Sequence, residues 1–167
     1  MAYKHEDYCT LLKYYEDRDI LTRKLFDVNV RLFHASTRYQ DIIKACCAHL
    51  VWCATTTKEG YKTPHGYSGA NAGIPFNIIA FNDGKCWINP KIVKATGRRV
   101  GKSNCGSLLL NEPIDIWRYE QVTIEYRQME TYGAYTSLEP KRVEGYLPTA
   151  QHEIDHNNGI LITDRKA

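Results

Sequence analysis

Two histidines four residues apart, His152 and His156, with Glu153 directly after the first, make an HExxH pattern inside Gln151 to Gly159, QHEIDHNNG. On an α-helix, residues i and i+4 lie on one face about one turn apart, so both imidazoles can hold one metal ion while the adjacent carboxylate reaches a metal-bound water. The helix has local support of its own. Pro148 suits a first turn, where its missing N–H is not needed, and Gly159 suits the position just past the C-terminus, where φ > 0 is often required. The bland alternative is a charged, solvated helix face.

A divalent ion wants more than two protein ligands. The run HEIDHNNGILI follows the longer HExxHxxGxxH pattern as far as Gly159, but Ile162 stands where its third histidine would be. Eleven residues follow His156, and Asp164 is the sole carboxylate among them, so the third ligand is expected upstream.

The elements that must position this helix are read from periodicity. Tyr8, Leu11, Leu12 and Tyr15 have the spacing of a short amphipathic helix. A longer one is expected from Ser36, as cap, to about Thr56. Its stripe is Tyr39, Ile42, Ile43, Cys46, Cys47, Leu50, Val51 and Ala54, and Cys46, Cys47 and His49 are read as packing residues. Five glycines and prolines between Thr57 and Gly73 mark a loop whose backbone comes close to something. Phe76 to Phe81 reads as a buried strand, Asn82-Asp83-Gly84 as a turn, Lys85 to Ile88 as the hairpin partner and Asn89-Pro90 as punctuation. Lys91 to Val100 offers alternating strand material, Gly101 to Ser107 reads as turn-rich, and Ile116 to Tyr126 as one half-buried strand. A hairpin through Gly133 and a strand near Val143 complete the reading. The expected architecture is α+β, with antiparallel strands packed around a central HExxH helix and N-terminal helices, in one domain over residues 1–167.

Composition removes several classes of function. With 43% hydrophobic and 25% charged residues the chain resembles an ordinary globular protein, and a net charge of +3 without a basic block gives no case for nucleic acid. No stretch of 18 apolar residues exists and MAYKHEDY lacks a signal peptide's apolar core, so neither a membrane nor export is expected. The six cysteines, without a CxxC pair or regular framework, are read as reduced thiols of a cytosolic protein.

Cys105, between Asn104 and Gly106, is the upstream candidate for the third ligand, and what singles it out is a resemblance shared by three separated segments. QHEIDHNNG is similar to the QHExDHLxG motif of the peptide deformylases, with Asn157 where leucine is usual. Ser103 to Ser107, SNCGS, resembles that family's EGCLS, keeping the cysteine and final serine. Ile88 to Ile92 and Arg118 to Tyr126 resemble the strands before and after it. Aligning Gly73 with the last glycine of GxGxAAxQxG puts Gly66 at the second glycine, Asn71 at the glutamine and Pro64 at the first glycine. The resemblance covers roughly residues 15 to 164.

What it implies is a hydrolase that removes the formyl group from the initiating methionine of nascent polypeptides. Cys105, His152 and His156 would hold one divalent ion, Fe(II) natively, with zinc, nickel or cobalt able to replace it. Glu153 would be general base and then acid; the Asn71 amide and the Gly106 backbone N–H would face the carbonyl oxygen; Gly66, Gly106 and Thr149 would contact substrate. The chain resembles the short type also found among phage-encoded members, without the C-terminal helix that resemblance links to ribosome docking. A transient ribosome contact, a bacterial cytoplasm and a monomer are the matching expectations. Two alternatives stay open: another metallohydrolase or peptidase with the same ligands, and a catalytically weak protein that binds metal or peptide, to which the altered residues Ser103, Asn71 and Pro64 point.

Overall fold

The computed structural model describes residues 18–56, 64–105 and 112–167. The helix expected at 8 to 15 lies outside them. The frame is a five-stranded antiparallel sheet in the order β1 (Gly66–Ser68), β2 (Ile78–Phe81), β3 (Cys86–Thr96), β6 (Gln121–Tyr132) and β7 (Tyr135–Gly145). A separate ribbon pairs β4 (Arg99–Ser103) with β5 (Ile114–Arg118). Four helices accompany them among the described residues: α1 (Arg18–Leu21), α2 (Val30–Ala35), α3 (Thr37–Thr55) and α4 (Pro148–Asn157), with a 3-10 turn at Ile162–Arg165.

Strand side chains alternate between faces, and here both faces are buried. Ile78, Ala80 and Ile88 share a core with Ile43, Cys47, Leu50 and Ala54 of α3. Ile79, on the other face of β2, packs with Trp87, Val122 and Ile124 against Ala150 and Ile154 of α4. That is why the strand itself, IIAF from Ile78 to Phe81, is apolar throughout. The two long helices lie on opposite sides of the sheet, and each fully buried Leu or Ile contributes about 1.5–3 kcal/mol relative to exposure.

The capping reading of α3 holds, since Ser36 Oγ accepts from the Tyr39 N–H, although Ile42 of the expected stripe is exposed. The turn at Gly84 (φ 85°) and the hairpin at Gly133 are as expected, and the strand expected at Phe76 to Phe81 is present but begins at Ile78, with Phe76 in an isolated bridge to Phe26. Three readings are corrected. Asn89-Pro90 does not end its strand: β3 runs through it as a bulge, with Asn89 at φ 55° and a register shift between Ile88 and Lys91. The Asn89 side chain satisfies the Val28 N–H and C=O there, a long-range pairing that sequence periodicity cannot show. Gly101 to Ser103 is strand, paired with Ile114 to Ile116. Ile116 to Tyr126 is not one strand but parts of two, β5 and β6, in different sheets. A fourth correction concerns the six cysteines expected as reduced thiols: Cys46, Cys47, Cys86 and Cys105 carry thiols, but Cys53 is disulfide-bonded, which the count of cysteines alone could not distinguish.

Helix α4 begins with Pro148 at its first turn and is followed by Gly159 at φ 73°, as the sequence suggests. The segment after α1 crosses this end: Leu25 N–H donates to Asn157 C=O, and a Cβ on Gly159 would lie 2.2 Å from the Thr22 carbonyl oxygen. Glycine is thus required for its φ and for the approach. Gly159→Ala should lower stability by about 3 kcal/mol or more, from left-handed strain plus a backbone clash. Urea denaturation checks this, and an unchanged midpoint would mean that Thr22 does not close on the helix end.

Candidate metal centre and active site

Residues of α4 point to more than one side, and nearly all are buried: Gln151, Glu153, Asp155, His156 and Asn157 are among its buried residues. Burying so many polar groups is costly unless each finds a partner. The sheet and ribbon supply most of them. Gln151 makes a reciprocal pair with the Tyr119 backbone, accepting from its N–H at 3.0 Å and donating to its C=O at 3.0 Å, and also donates to Tyr146 C=O. Asp155 lies between two arginines: Arg118 of β5 donates through Nη1, while Arg165 of the 3-10 turn donates through Nε (3.1 Å) and Nη2 (2.8 Å). Arg165 is brought there because the chain end runs along β5, with Lys166 opposite Ile116.

The face carrying the histidines meets Cys105, two residues past the end of β4. Cys105 Sγ is 3.4 Å from His156 Nε2, which is 2.9 Å from His152 Nε2, and donor atoms of the three residues all lie within 4.8 Å of one another. A tetrahedral site with metal–nitrogen bonds of about 2.0–2.1 Å and a metal–sulfur bond of about 2.3 Å separates its ligand atoms by roughly 3.3–3.5 Å. The spacing and the donor chemistry therefore fit one ion. Cys105 and His156 are buried and His152 is half-buried. Burial lowers both imidazole pKa values, that of His156 to about 4, so the rings stay neutral with a lone pair to give. Arg118 Nη2 lies 2.9 Å from His152 Nδ1. A neutral ring that ligates through Nε2 carries its hydrogen on Nδ1, where Arg118 cannot accept it, so this one contact is not kept when His152 is a ligand.

Glu153 is buried, and burial pushes its carboxyl up to about 8, opposed by Arg118. Its Oε2 and His156 Nδ1 have no hydrogen-bond partner among the described residues. A divalent cation nearby would favour the carboxylate again. Gly66 of β1 runs beside it so closely that a Cβ there would meet Thr149 Cγ2 at 2.9 Å and Glu153 Cγ at 3.1 Å. The glycine-rich loop thus comes close to α4, as expected. Beside Thr149 opens a cleft of about 390 Å³, lined also by His65, Phe81, Trp87, Leu147 and Pro148.

Residues 49–167 match the sequence profile of the polypeptide deformylases. The chain belongs to this family. A peptide deformylase of Symbiobacterium thermophilum is 42% identical over 79 residues, which are 47% of this chain and 34% of that relative. The chain spans about a third to two-fifths of the length of the first curated relatives it matches, with 34%, 40% and 43% covered. Among solved structures, Plasmodium falciparum peptide deformylase in complex with an inhibitor has the same fold, with a TM-score of 0.64 at 22% identity, covering 95% of this chain and 89% of that one. The class I type b peptide deformylase of Acinetobacter baumannii, bound to Met-Ala-Ser, gives 0.63 at 21% identity, covering 93% and 97%.

Of the residues singled out by sequence, the fold brings together Cys105, His152 and His156, and separately Gly66, Thr149 and Glu153. Asn71 is buried in the turn after β1. Gly106 lies outside the described residues. The residues that sequence reasoning passed over are Arg118, Gln151, Asp155, Asn157 and Arg165. Their signal was present in QHEIDHNNG, which is polar at every position of the helix but Ile154: such a helix is either solvated or held by partners elsewhere in the chain. Asp155→Ala would leave the Arg118 charge buried without compensation, and should destabilise by about 3–5 kcal/mol in chemical denaturation. A loss below about 1 kcal/mol would show that the Asp155 cluster is dispensable.

Proposed function

We propose that the chain is a metal-dependent peptide deformylase, hydrolysing the formyl amide at the N-terminal methionine of nascent polypeptides. The observation that carries the reading is the convergence of one thiol and two neutral imidazoles beside a buried carboxyl, Glu153, whose outer oxygen has no partner among the described residues. Cys105, His152 and His156 are the ligands in this reading, and Fe(II) the ion, with zinc, nickel or cobalt able to replace it. A divalent ion held there acidifies water and polarises a carbonyl.

The chain's own groups do the rest. Glu153 takes the proton of the attacking water, and passes it to the leaving nitrogen as the C–N bond breaks, yielding formate and a free amine. The Asn71 amide and the Gly106 backbone N–H donate to the formyl oxygen as it gains charge. Gly66 lets the loop strand approach α4, and together with Gly106 and Thr149 it borders the bound peptide. The cleft beside Thr149 has the size of a site for a small ligand. Peptide binding by the Acinetobacter baumannii relative, seen with Met-Ala-Ser, agrees with this substrate class. Residues 1–167 act in this reading as one catalytic domain, in the cytoplasm of a bacterial cell.

Formate release from formyl-methionyl peptides, measured beside cleavage of unformylated peptides, tests the activity. Release without peptide-bond cleavage is expected; cleavage of unformylated peptides would make the chain a peptidase, and neither reaction would leave it a binding protein. Cys105→Ala should reduce metal stoichiometry from one ion per chain to a small fraction, and undiminished stoichiometry would place the third ligand elsewhere. Glu153→Ala should retain metal and lose about 10²- to 10⁴-fold in kcat. Near-normal turnover at saturating metal would remove the base from this position.

A further inference from the structure

Asn157 directly follows the second histidine and takes the place of a leucine usual in the family motif. Its side chain is 1% exposed and makes three buried or half-buried hydrogen bonds. Oδ1 accepts from the Ala70 N–H at 3.1 Å, and Nδ2 donates to Asn77 Oδ1 at 3.1 Å and to Ile78 C=O at 3.0 Å. A leucine there could satisfy none of them. One amide therefore ties the HExxH helix to the first residues of β2 and to the turn that carries Asn71.

Other contacts hold that turn to β2 and to itself. Gly69 N–H donates to Ile78 C=O, and Ile74 N–H closes back on Gly69 C=O. Asn71 N–H donates to the neighbouring Ser68 Oγ at 3.3 Å. Ala70 is the point at which the turn is held by α4 itself, one residue before Asn71 and through a side chain one residue after His156. Resting on the reading of the site given above, we infer that Asn157 is a positioning residue: it sets the distance between the Asn71 amide and the imidazole pair by fastening Ala70 to the helix that carries both histidines. Asparagine is suited to the task because it offers one acceptor and two donors from a short, stiff side chain, matching the Ala70 N–H on one side and two oxygens on the other. The shorter reach of Asn71 compared with the family's glutamine gives the fastening its purpose, since a donor with less slack depends more on where its backbone is held.

The test is Asn157→Leu, with three readouts on the metal-loaded protein. Metal stoichiometry should stay at the wild-type value. Amide hydrogen exchange at Ala70 should accelerate by about tenfold or more, while amides in β3 and β6 keep their protection. With formyl-methionyl peptides, kcat should fall by about 10- to 100-fold with KM changed less than about twofold, as expected for a misplaced group that acts in the transition state. Asn157→Asp keeps an acceptor for Ala70 but sets its second oxygen against Ile78 C=O, so Ala70 protection and kcat should fall between those of the wild type and Asn157→Leu. Should Asn157→Leu not fold, Asn157→Ser, smaller and polar, gives the same readouts. Accelerated exchange at Ala70 with undiminished kcat would overturn the inference, as would a kcat loss that merely follows loss of metal or of folded protein. Unchanged exchange at Ala70 would remove the tie itself. If the wild-type chain releases no formate, the proposed activity fails while the exchange experiment still reports on the tie.

Discussion

Five polar side chains of the ten-residue helix α4 are buried, and the molecule around it is shaped by the need to answer three of them, Gln151, Asp155 and Asn157. Gln151 is met by the backbone of Tyr119 between β5 and β6. Asp155 is met by Arg118 from the ribbon and Arg165 from the chain end. Asn157 is met by the turn after β1 and the start of β2. These contacts come from different sides of the helix, so together they fix its rotation and its position along the axis. Partner removal at any one leaves a buried polar group unpaired, which costs more than the hydrogen bond alone contributes.

The groups left over define the chemistry. Once Gln151, Asp155 and Asn157 are satisfied, the remaining titratable groups of α4 are the imidazoles and the Glu153 carboxyl, and these face Cys105 and the close-running β1 strand. Burial raises the carboxyl's pKa and lowers those of the imidazoles, so each prefers its neutral form. A divalent cation among them would satisfy the ring nitrogens and thiolate and restore the carboxylate in one step.

The sheet plays the part of a spacer. Its two apolar faces separate α3, which carries the larger core, from α4, which carries the site, and strand alternation assigns Ile78 and Ala80 to one and Ile79 to the other. The ribbon of β4 and β5 belongs to neither face. It delivers Cys105 from one strand and Arg118 from the other to the same end of α4, and the C-terminal turn packs on it through Ile162, Leu161 and Ile116.

Local chemistry settled much of this in the sequence. HExxH spacing placed two imidazoles on one helical face; Pro148 and Gly159 bounded that helix; Ser36 started α3; and the glycines around 66 to 73 announced a close approach of backbone to something. Each of these depends on residues within a few positions of one another, and such signals survive in a linear reading. The third donor at Cys105 was legible only through resemblance, because it lies 51 residues from His156 and no periodicity links them. The bulge at Asn89, the splitting of Ile116 to Tyr126 between two sheets, the arginines around Asp155 and the fastening of Ala70 by Asn157 were decided by tertiary structure alone. In each case the partner is far away in the chain, and the need to pair a buried polar group, rather than any local propensity, chooses it.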